Sequence, residues 1–581
     1  MMISTKRHVQ QLASLFLSKK IFDIVLCPGS RNGPLIHTLA GCGQFDCRVI
    51  VDERSAGYFA LGLAQAKENP VVIVCSSGTA TINFAPAVAE AFYQNIPLIV
   101  VTADRPAYWI DQLENQCIQQ TALYRNFIKQ SCSLPLEESD CRLWSGARLI
   151  NEILNTAVSD APGPVHINIP LEEPLHRTMD AQLPDVKVIG NAQTRINLDE
   201  KALAAAAEEI GRADKILVLA GQSQGNGELD SSLALFAEKT GAVVAAEHLA
   251  NLQIPSGCCC AVPELVLGSI SSGDAAVFQP DLLITFGRHF VSKRIRQFLR
   301  ANKPHEHIHV DAGGGHMDTY QALTRVCAMS PELFFGQLAD MQIQKASGGY
   351  AGAWKDREQE TLQIYKHYLD RAPFSDFTAC AGALKAVPKD SVLHLGNSSS
   401  VRYAVLTPGI KEVTWLGNRG TSGIDGSVST AVGYASCSSK INTLILGDLS
   451  FFYDSNGLWN KYLGKNLRII LLNNGGGNIF SFVEDLAGRT GEDNQAVFQN
   501  YFFAGHSAKA QGLASTFGLD YLQAGSASQL DRALEKLYNP GRIVPTLLEV
   551  FTDAQTNTKV FKGLFSESQL PLLNQRFRRG L

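Results

Sequence analysis

The chain lacks an excess of charge of either sign. Its 51 Lys and Arg face 55 Asp and Glu, together 18% of 581 residues, for a formal net charge of −4. Nothing in that balance points to nucleic acid or an anionic membrane surface as partner. No uninterrupted apolar run approaches the roughly 18 residues that a membrane span needs. The N-terminal segment also lacks the apolar block of a signal peptide. Lys6 and Arg7 precede Val9, Leu12, Ala13, Leu15 and Phe16, a helical spacing interrupted by Gln10 and Gln11. The 13 cysteines are odd in number and scattered; Cys258, Cys259 and Cys260 are adjacent, but no Cys-x-x-Cys pair recurs. Zinc and a disulfide framework are therefore both unsupported, and a reducing cytoplasm is the expected setting. Cys27 and Cys75 fall in strand-like runs, where a thiol serves as a small apolar residue. Also missing is a strand followed by Gly-x-Gly-x-x-Gly and an acid, which speaks against a nicotinamide dehydrogenase.

What is present is ordinary globular material, 45% hydrophobic, long enough for three or four domains at roughly 150 residues each. Short β-rich runs alternate with helical segments, the pattern of parallel α/β layers. The expected strands are 22–27, 48–51, 71–75, 98–102 and 165–169; then 216–220, 243–246, 282–286 and 307–310; then 392–395, 412–416, 443–446, 467–472 and 546–551. Polar or proline-bearing linkers are expected at 170–198 and 330–353. The first and last thirds share a rhythm, which suggests two related nucleotide-type folds in one chain. In the middle third, Gly221-Gln222-Ser223-Gln224-Gly225 follows a strand. A structural turn is the favoured reading there over a phosphate seat.

Two strand ends carry more. The run 443–446 meets Gly447-Asp448, and 26 positions beyond that aspartate stands Asn474, within Asn473-Asn474-Gly475-Gly476. At one edge of a parallel sheet they present a carboxylate, an amide oxygen and glycine carbonyls. Those are hard oxygen ligands, suited to Mg²⁺ shared with a phosphate-bearing cofactor. An aspartate after a strand also serves as a helix cap, and Asn-Gly clusters also make turns. The first third adds four strand-to-helix turns: Pro28-Gly29-Ser30-Arg31, Asp52-Glu53-Arg54-Ser55-Ala56-Gly57, Ser77-Gly78-Thr79-Ala80 and Thr102-Ala103-Asp104-Arg105-Pro106. The first makes a ready anion site from helix-start N–H groups, Ser30 and Arg31. Glu53 sits where ligands bind in open α/β sheets.

With Asn115-Gln116, Gly396-Asn397-Ser398, Asn418-Arg419-Gly420, Ser422-Gly423-Ile424-Asp425-Gly426 and Gly447-Asp448-Leu449-Ser450, the whole chain resembles the thiamine diphosphate-dependent decarboxylase and acetolactate synthase superfamily. Within it, the combination is similar to the branch that joins 2-oxoglutarate to isochorismate for menaquinone biosynthesis. Leu449 stands where the superfamily usually has glycine, which fits that branch. No two histidines are adjacent, which weakens a simple decarboxylase reading.

The resemblance implies three doubly wound α/β domains with mostly parallel sheets: pyrimidine-binding 1–185, central 195–345, and diphosphate- and Mg²⁺-binding 355–581. It implies that Glu53 is the catalytic partner of the aminopyrimidine N1′, helping the thiazolium C2 proton to leave. Thr79, Gln116, Gly396, Asn397, Ser398, Ile424, Gly447, Asp448, Leu449, Ser450, Asn474, Gly476 and Ile479 would join Glu53 around the cofactor, Ile424 as the wedge that bends it. Asp448, Asn474 and the Gly476 carbonyl would bind Mg²⁺, or Mn²⁺ in its place. Both implied substrates, 2-oxoglutarate and isochorismate, are dicarboxylates. Arg31, Arg105, Lys293, Arg294, Arg402 and Arg419 match the basic set that would receive them, with Ser30, Gln116, Ser398, Ile479 and Phe480. Solvated faces and core packing are the ordinary homes of such residues taken singly. The resemblance further implies a homodimer or homotetramer. A pyruvate-type carboligase and an inactive homologue acting as a sensor or scaffold remain as alternatives; the surplus of matched arginines argues against the first, and the presence of Glu53 and Asp448 against the second.

Overall fold

Every strand expected from the sequence forms in the computed structural model, with ends displaced by at most two residues. The structure describes residues 1–192, 197–255, 259–271, 273–343, 349–409, 412–482 and 492–566, with backbone alone at 492–494. Cys258 and parts of both expected linkers lie outside them. The strands build three six-stranded sheets, and every neighbouring pair in them is parallel. Parallel sheets are covered by helices on both faces, so their strands are apolar throughout. Val71–Cys75, for instance, is wholly buried.

Ranked by position in the chain, the strands of the first sheet run 2-1-3-4-6-5, and those of the third run 2-1-3-4-6-5 again. The shared rhythm of the two ends is thus a shared topology. The middle sheet differs, with order 3-2-1-4-5-6. The strands that the sequence did not signal within these sheets are Gln130–Ser133, Cys259–Cys260, Arg325–Cys327 and Asp520–Ala524, and each lies at a sheet edge. An edge strand is short and covered on fewer sides, so it carries no apolar run to read. The expected linker 330–353 contains the helix Pro331–Ala339, held by the fully buried Phe334 and Phe335. The earlier linker carries Thr178–Asp180, which pairs antiparallel with Met2–Ser4.

The first and third units share a core. Phe59, Val88 and Val100 pack in one apolar cluster with Val428, Val432 and Leu446. At its centre the helix Glu53–Lys67 crosses the helix Ser427–Ala435. The crossing is backbone to backbone: a Cβ on Gly62 would stand 2.0 Å from the Thr430 carbonyl oxygen, and one on Gly433 2.1 Å from that of Phe59. The middle sheet keeps apolar clusters of its own, built around Phe236, Phe286 and Phe335 on one face and Leu283, Ile295 and Trp354 on the other.

Candidate active site

The strand Asn442–Gly447 delivers Asp448 as the first residue of a short helix, and the neighbouring strand Leu467–Asn473 delivers Asn474. Asp448 is 2% exposed. Its Oδ2 accepts the N–H groups of Asn474, Gly475 and Gly476 at 3.2, 2.8 and 3.0 Å, and its Oδ1 that of Leu449 at 2.7 Å. Burial pushes the Asp448 carboxyl up from the ordinary aspartate range, and the N–H groups with nearby His506 pull it back. Two strand ends are therefore clasped by one carboxylate. The Gly475 backbone is left-handed (φ +77°), as a glycine permits.

Asn474 is held from the other side. Its Nδ2 donates to Asp376 Oδ2 at 2.7 Å, while its Oδ1 is buried without a hydrogen-bond partner. A buried acceptor with no donor in the chain is open to an ion or a water. The same turn carries the Asp448 carboxylate on its N–H groups and the Gly476 carbonyl, which among the described residues accepts from Asn478 at 3.0 Å and keeps a second lone pair. This donor set fits a hard divalent cation. No group of three or more His, Cys, Asp or Glu suited to a metal occurs among the described residues; a site made of one carboxylate, an amide and a carbonyl is of another kind.

The turn after the third unit's first strand is tied to the same edge. Asn397 Nδ2 donates to the carbonyls of Asn418 and Gly423, and its Oδ1 accepts from Arg419 at 2.6 Å. Burial lowers the Arg419 guanidinium to about 10, so it stays charged at neutral pH. Ser450 donates to the Ile424 carbonyl at 2.6 Å, which fixes the expected wedge beside the Gly447–Asp448 turn. Ser398 has a left-handed φ of +71° and precedes the helix Ser399–Leu406, which carries Arg402.

A cavity of about 530 Å³ is lined by Lys293, Arg294, Arg402 and Ile479, together with Glu264, Ser292 and Phe482. Arg294 is already paired with Glu264 at 3.3 Å, so Lys293 and Arg402 are the less committed cations. Three residues of the third unit expected with them do not line this space. Ser398 stays on its turn. Arg419 lines a separate cavity of about 840 Å³ at the end of the middle sheet, with Arg288, Arg296 and His309. Phe480 is 37% exposed and packs against Phe502.

The corresponding edge of the first sheet is open. Glu53 is half-buried at the start of its helix, where the capping Asp52 accepts from the Ser55 N–H at 3.2 Å. Around it Ser30, Thr79 and Gln116 are exposed. Ser77 donates to the Gln116 carbonyl at 2.8 Å, and Gln116 itself has a positive φ of +50°. The two arginines here are engaged within the chain. Arg31 donates to the Leu171 carbonyl at 2.9 Å and pairs with Glu173; Arg105 donates to the Asn115 carbonyl at 2.8 Å and pairs with Glu114. Among the described residues no hydrogen bond or ion pair joins Glu53 to Asp448 or Asn474. Instead Arg54 donates to the Tyr453 carbonyl at 2.9 Å, and Asn456 to Asp52 at 2.8 Å.

Several supporting carboxylates went unread in the sequence. Buried Glu90 accepts the N–H groups of Gly420 and Thr421 at 2.6 and 2.7 Å, so a helix of the first unit grips the loop bearing Arg419 and Ile424. Asp425 accepts from Tyr58 at 2.7 Å. Glu247 accepts from Val291 and Ser292 just before Lys293. Glu549, fully buried, accepts from Asn473 at 2.7 Å. The glutamate in the run Leu547-Leu548-Glu549-Val550 was a visible signal, since a charge inside a buried strand requires partners. Asp376, behind Ser375, reads only as a helix start.

Comparison with known proteins bears on this edge-to-edge pattern. Residues 7–123 match the family model described as the thiamine pyrophosphate enzyme N-terminal TPP binding domain, and 194–393 match the middle domain of thiamine pyrophosphate enzymes. The chain is 37% identical to the 2-succinyl-5-enolpyruvyl-6-hydroxy-3-cyclohexene-1-carboxylate synthase of Bacteroides fragilis, over 97% of this chain and 100% of that protein. It is 38% identical to the protein of the same name from Flavobacterium johnsoniae, over 96% and 98%. Among solved structures, benzoylformate decarboxylase from Polynucleobacter necessarius superposes with a TM-score of 0.70 over 94% of this chain and 99% of its own, at 16% identity. That likeness is one of fold.

Proposed function

The chain belongs to the 2-succinyl-5-enolpyruvyl-6-hydroxy-3-cyclohexene-1-carboxylate synthases among the thiamine diphosphate enzymes, and from that premise we propose how its residues divide the work. The protein is a thiamine diphosphate-dependent transferase of menaquinone biosynthesis. Its substrates are 2-oxoglutarate, which loses CO₂, and isochorismate, to which the remaining four-carbon unit adds. When bound, the cofactor supplies a nucleophilic carbon and an electron sink for the decarboxylation.

Asp448, Asn474 and the Gly476 carbonyl hold Mg²⁺ or Mn²⁺, and through it the diphosphate. The single observation that carries this assignment is the buried, partnerless Asn474 Oδ1 beside the Asp448 carboxylate. Glu53 would hold a proton against the aminopyrimidine N1′, a task for a carboxyl group once a partner protomer closes the cleft. Gly396, Asn397, Ser398, Gly447, Leu449, Ser450 and Ile479 shape the diphosphate and thiazolium end, with Ile424 pressed under the ring. Thr79 and Gln116 complete the pyrimidine end. Lys293, Arg294 and Arg402 orient substrate carboxylates in the 530 Å³ cavity, and Ser30, Arg31, Arg105, Arg419 and Phe480 surround them once the site is assembled.

Assembly takes two chains. The pyrimidine edge is exposed, and large apolar side chains flank it: Val51 is 47% exposed, Ile82 47%, Tyr453 54% and Trp459 53%. A C₂ dimer would bury them and bring the first unit of one protomer to the third unit of its partner. No described helix is long and apolar enough to cross a membrane; a cytoplasmic enzyme acting on metabolites in solution accords with this. The decisive assay supplies thiamine diphosphate, Mg²⁺, 2-oxoglutarate and isochorismate and detects the adduct by mass. Carboligation of pyruvate in its place would overturn the substrate assignment.

A further inference from the structure

The buried residue Asp376, outside every motif, opens the helix Asp376–Ala386 at the far side of the third sheet. Its two oxygens are divided between two donors: Oδ2 accepts Asn474 Nδ2 at 2.7 Å, and Oδ1 accepts the Thr552 hydroxyl at 2.5 Å. Its backbone N–H is fixed by Asn557 Oδ1 at 2.7 Å, and Asn557 Nδ2 donates to Thr552 Oγ1 at 3.0 Å. Asp376 is thus pinned by three side chains from the final strand-to-helix turn and the metal edge, two on its carboxylate and one on its backbone N–H. An amide has one accepting end and one donating end. With the donating end committed to Asp376, the accepting end of Asn474 is left over, and that oxygen is the partnerless one.

We propose that Asp376 is a positioning residue that sets the polarity of the Asn474 amide and so presents its oxygen to the divalent cation. The inference rests on the reading of Asp448 and Asn474 as metal ligands. It explains why a carboxylate is required rather than an amide. Thr552 donates its hydroxyl proton to residue 376 while its oxygen receives the Asn557 amide. An asparagine at 376 would have to turn its own N–H₂ toward either Thr552 or Asn474, each of which is a donor. Only an acceptor at both ends satisfies the two together.

The test measures Mn²⁺ binding to the full-length protein by electron paramagnetic resonance, with thiamine diphosphate present, and the melting temperature without ligands. Asp376→Asn is expected to weaken Mn²⁺ by about 10- to 100-fold, the usual effect of losing a residue that orients a ligand. The double variant Asp376→Asn/Asn474→Asp restores donor-to-acceptor polarity across the pair and should recover most of that loss. A merely structural role would lower the melting temperature without such rescue. Thr552→Val, which leaves the Asn474 bond intact, should keep Mn²⁺ affinity within about threefold of wild type, as expected when a ligand's orientation is kept. Wild-type affinity in Asp376→Asn, or a loss that the double variant does not recover, overturns the positioning role. Failure of the wild-type protein itself to take up Mn²⁺ overturns the metal reading beneath it, an outcome distinct from the other two.

Discussion

The first and third units have the same strand order and opposite states of readiness. At the third sheet the chemistry is locked within the chain: Asp448 is clasped by four backbone N–H groups, Asn474 is anchored to Asp376, and the neighbouring Asn473 to Glu549. At the first sheet Ser30, Thr79 and Gln116 face solvent, and Glu53 is half-buried without a partner from the metal edge. A charged ligand set needs preorganisation, since its groups repel or collapse unless held. A single carboxyl group that meets a ring nitrogen needs only a dry wall, which a partner protomer can supply. One topology therefore hosts a finished half-site and an unfinished one.

The sharpest way to break this contrast is at the locked edge. Asp448→Ala removes a metal ligand and leaves the N–H groups of Asn474 and Gly476 without their acceptor, that of Gly475 keeping Asn473 Oδ1. Stabilisation by thiamine diphosphate and Mg²⁺, about 2.7 kcal/mol at ligand concentrations a hundredfold above Kd, should vanish in a thermal-shift titration, and the ligand-free protein should itself lose about 1–3 kcal/mol. Asn474→Ala should abolish the ligand response while costing the empty protein less. Retained stabilisation in both variants would mean that the metal lies elsewhere.

At the open edge the loss should be of rate alone. Glu53→Gln should slow C2 proton exchange by roughly 10²–10⁴, with cofactor affinity little changed, as followed by hydrogen–deuterium exchange. Mixing the inactive Glu53→Gln and Asp448→Ala proteins under subunit exchange should recover about a quarter of wild-type sites, because half the C₂ dimers are mixed and each holds one intact site. Absence of recovery despite proven exchange would place both ends of the cofactor in one chain.

Smaller effects separate the substrate cavity from both edges. Arg402→Ala should lower kcat/KM for a dicarboxylate by about tenfold to 10³-fold, with partial recovery in Arg402→Lys, whose ammonium cannot pair bidentately. The middle unit should show itself through pH. Burial raises Glu247 from the usual 4.5 to about 8. A carboxyl group raised on folding contributes stability that is complete below pH 4.5 and is lost as pH rises through about 8. Urea denaturation of Glu247→Gln should have a flatter stability profile than wild type across that window, and identical slopes would refute the assignment.

How far the sequence was legible follows burial. Strands buried on both faces, such as 71–75 and 282–286, were written as apolar runs and formed where expected. Edge strands such as Asp520–Ala524, exposed or half-buried up to Ala524, carried no such run. The residues placed at strand ends by motif do converge on two sheet edges, but their supports are invisible to motif reading. Glu90 and Gly420 are 330 positions apart, and Asp376 and Asn474 are 98 apart. Their pairing is a product of topology, which local spacing does not encode. Arg31 and Arg105 show the converse: the sequence marks them as substrate cations, and within one chain they are spent on Leu171, Glu173, Asn115 and Glu114.

The glycine crossing of Gly62 and Gly433 carries a thermodynamic consequence. Units far apart in the chain are fused there without room for a methyl group, while the unit between them has cores of its own and joins the third unit's cluster through Leu249, Val262, Leu265 and Val291. Heat should therefore take the two ends of the polypeptide through a single cooperative transition, with the intervening segment coupled to it less tightly, through one shared cluster at its margin. Chain order and unfolding order part company: residues near 60 and 430 should exchange their amide hydrogens with matching free energies, although those near 280 lie between them in sequence and need not follow either.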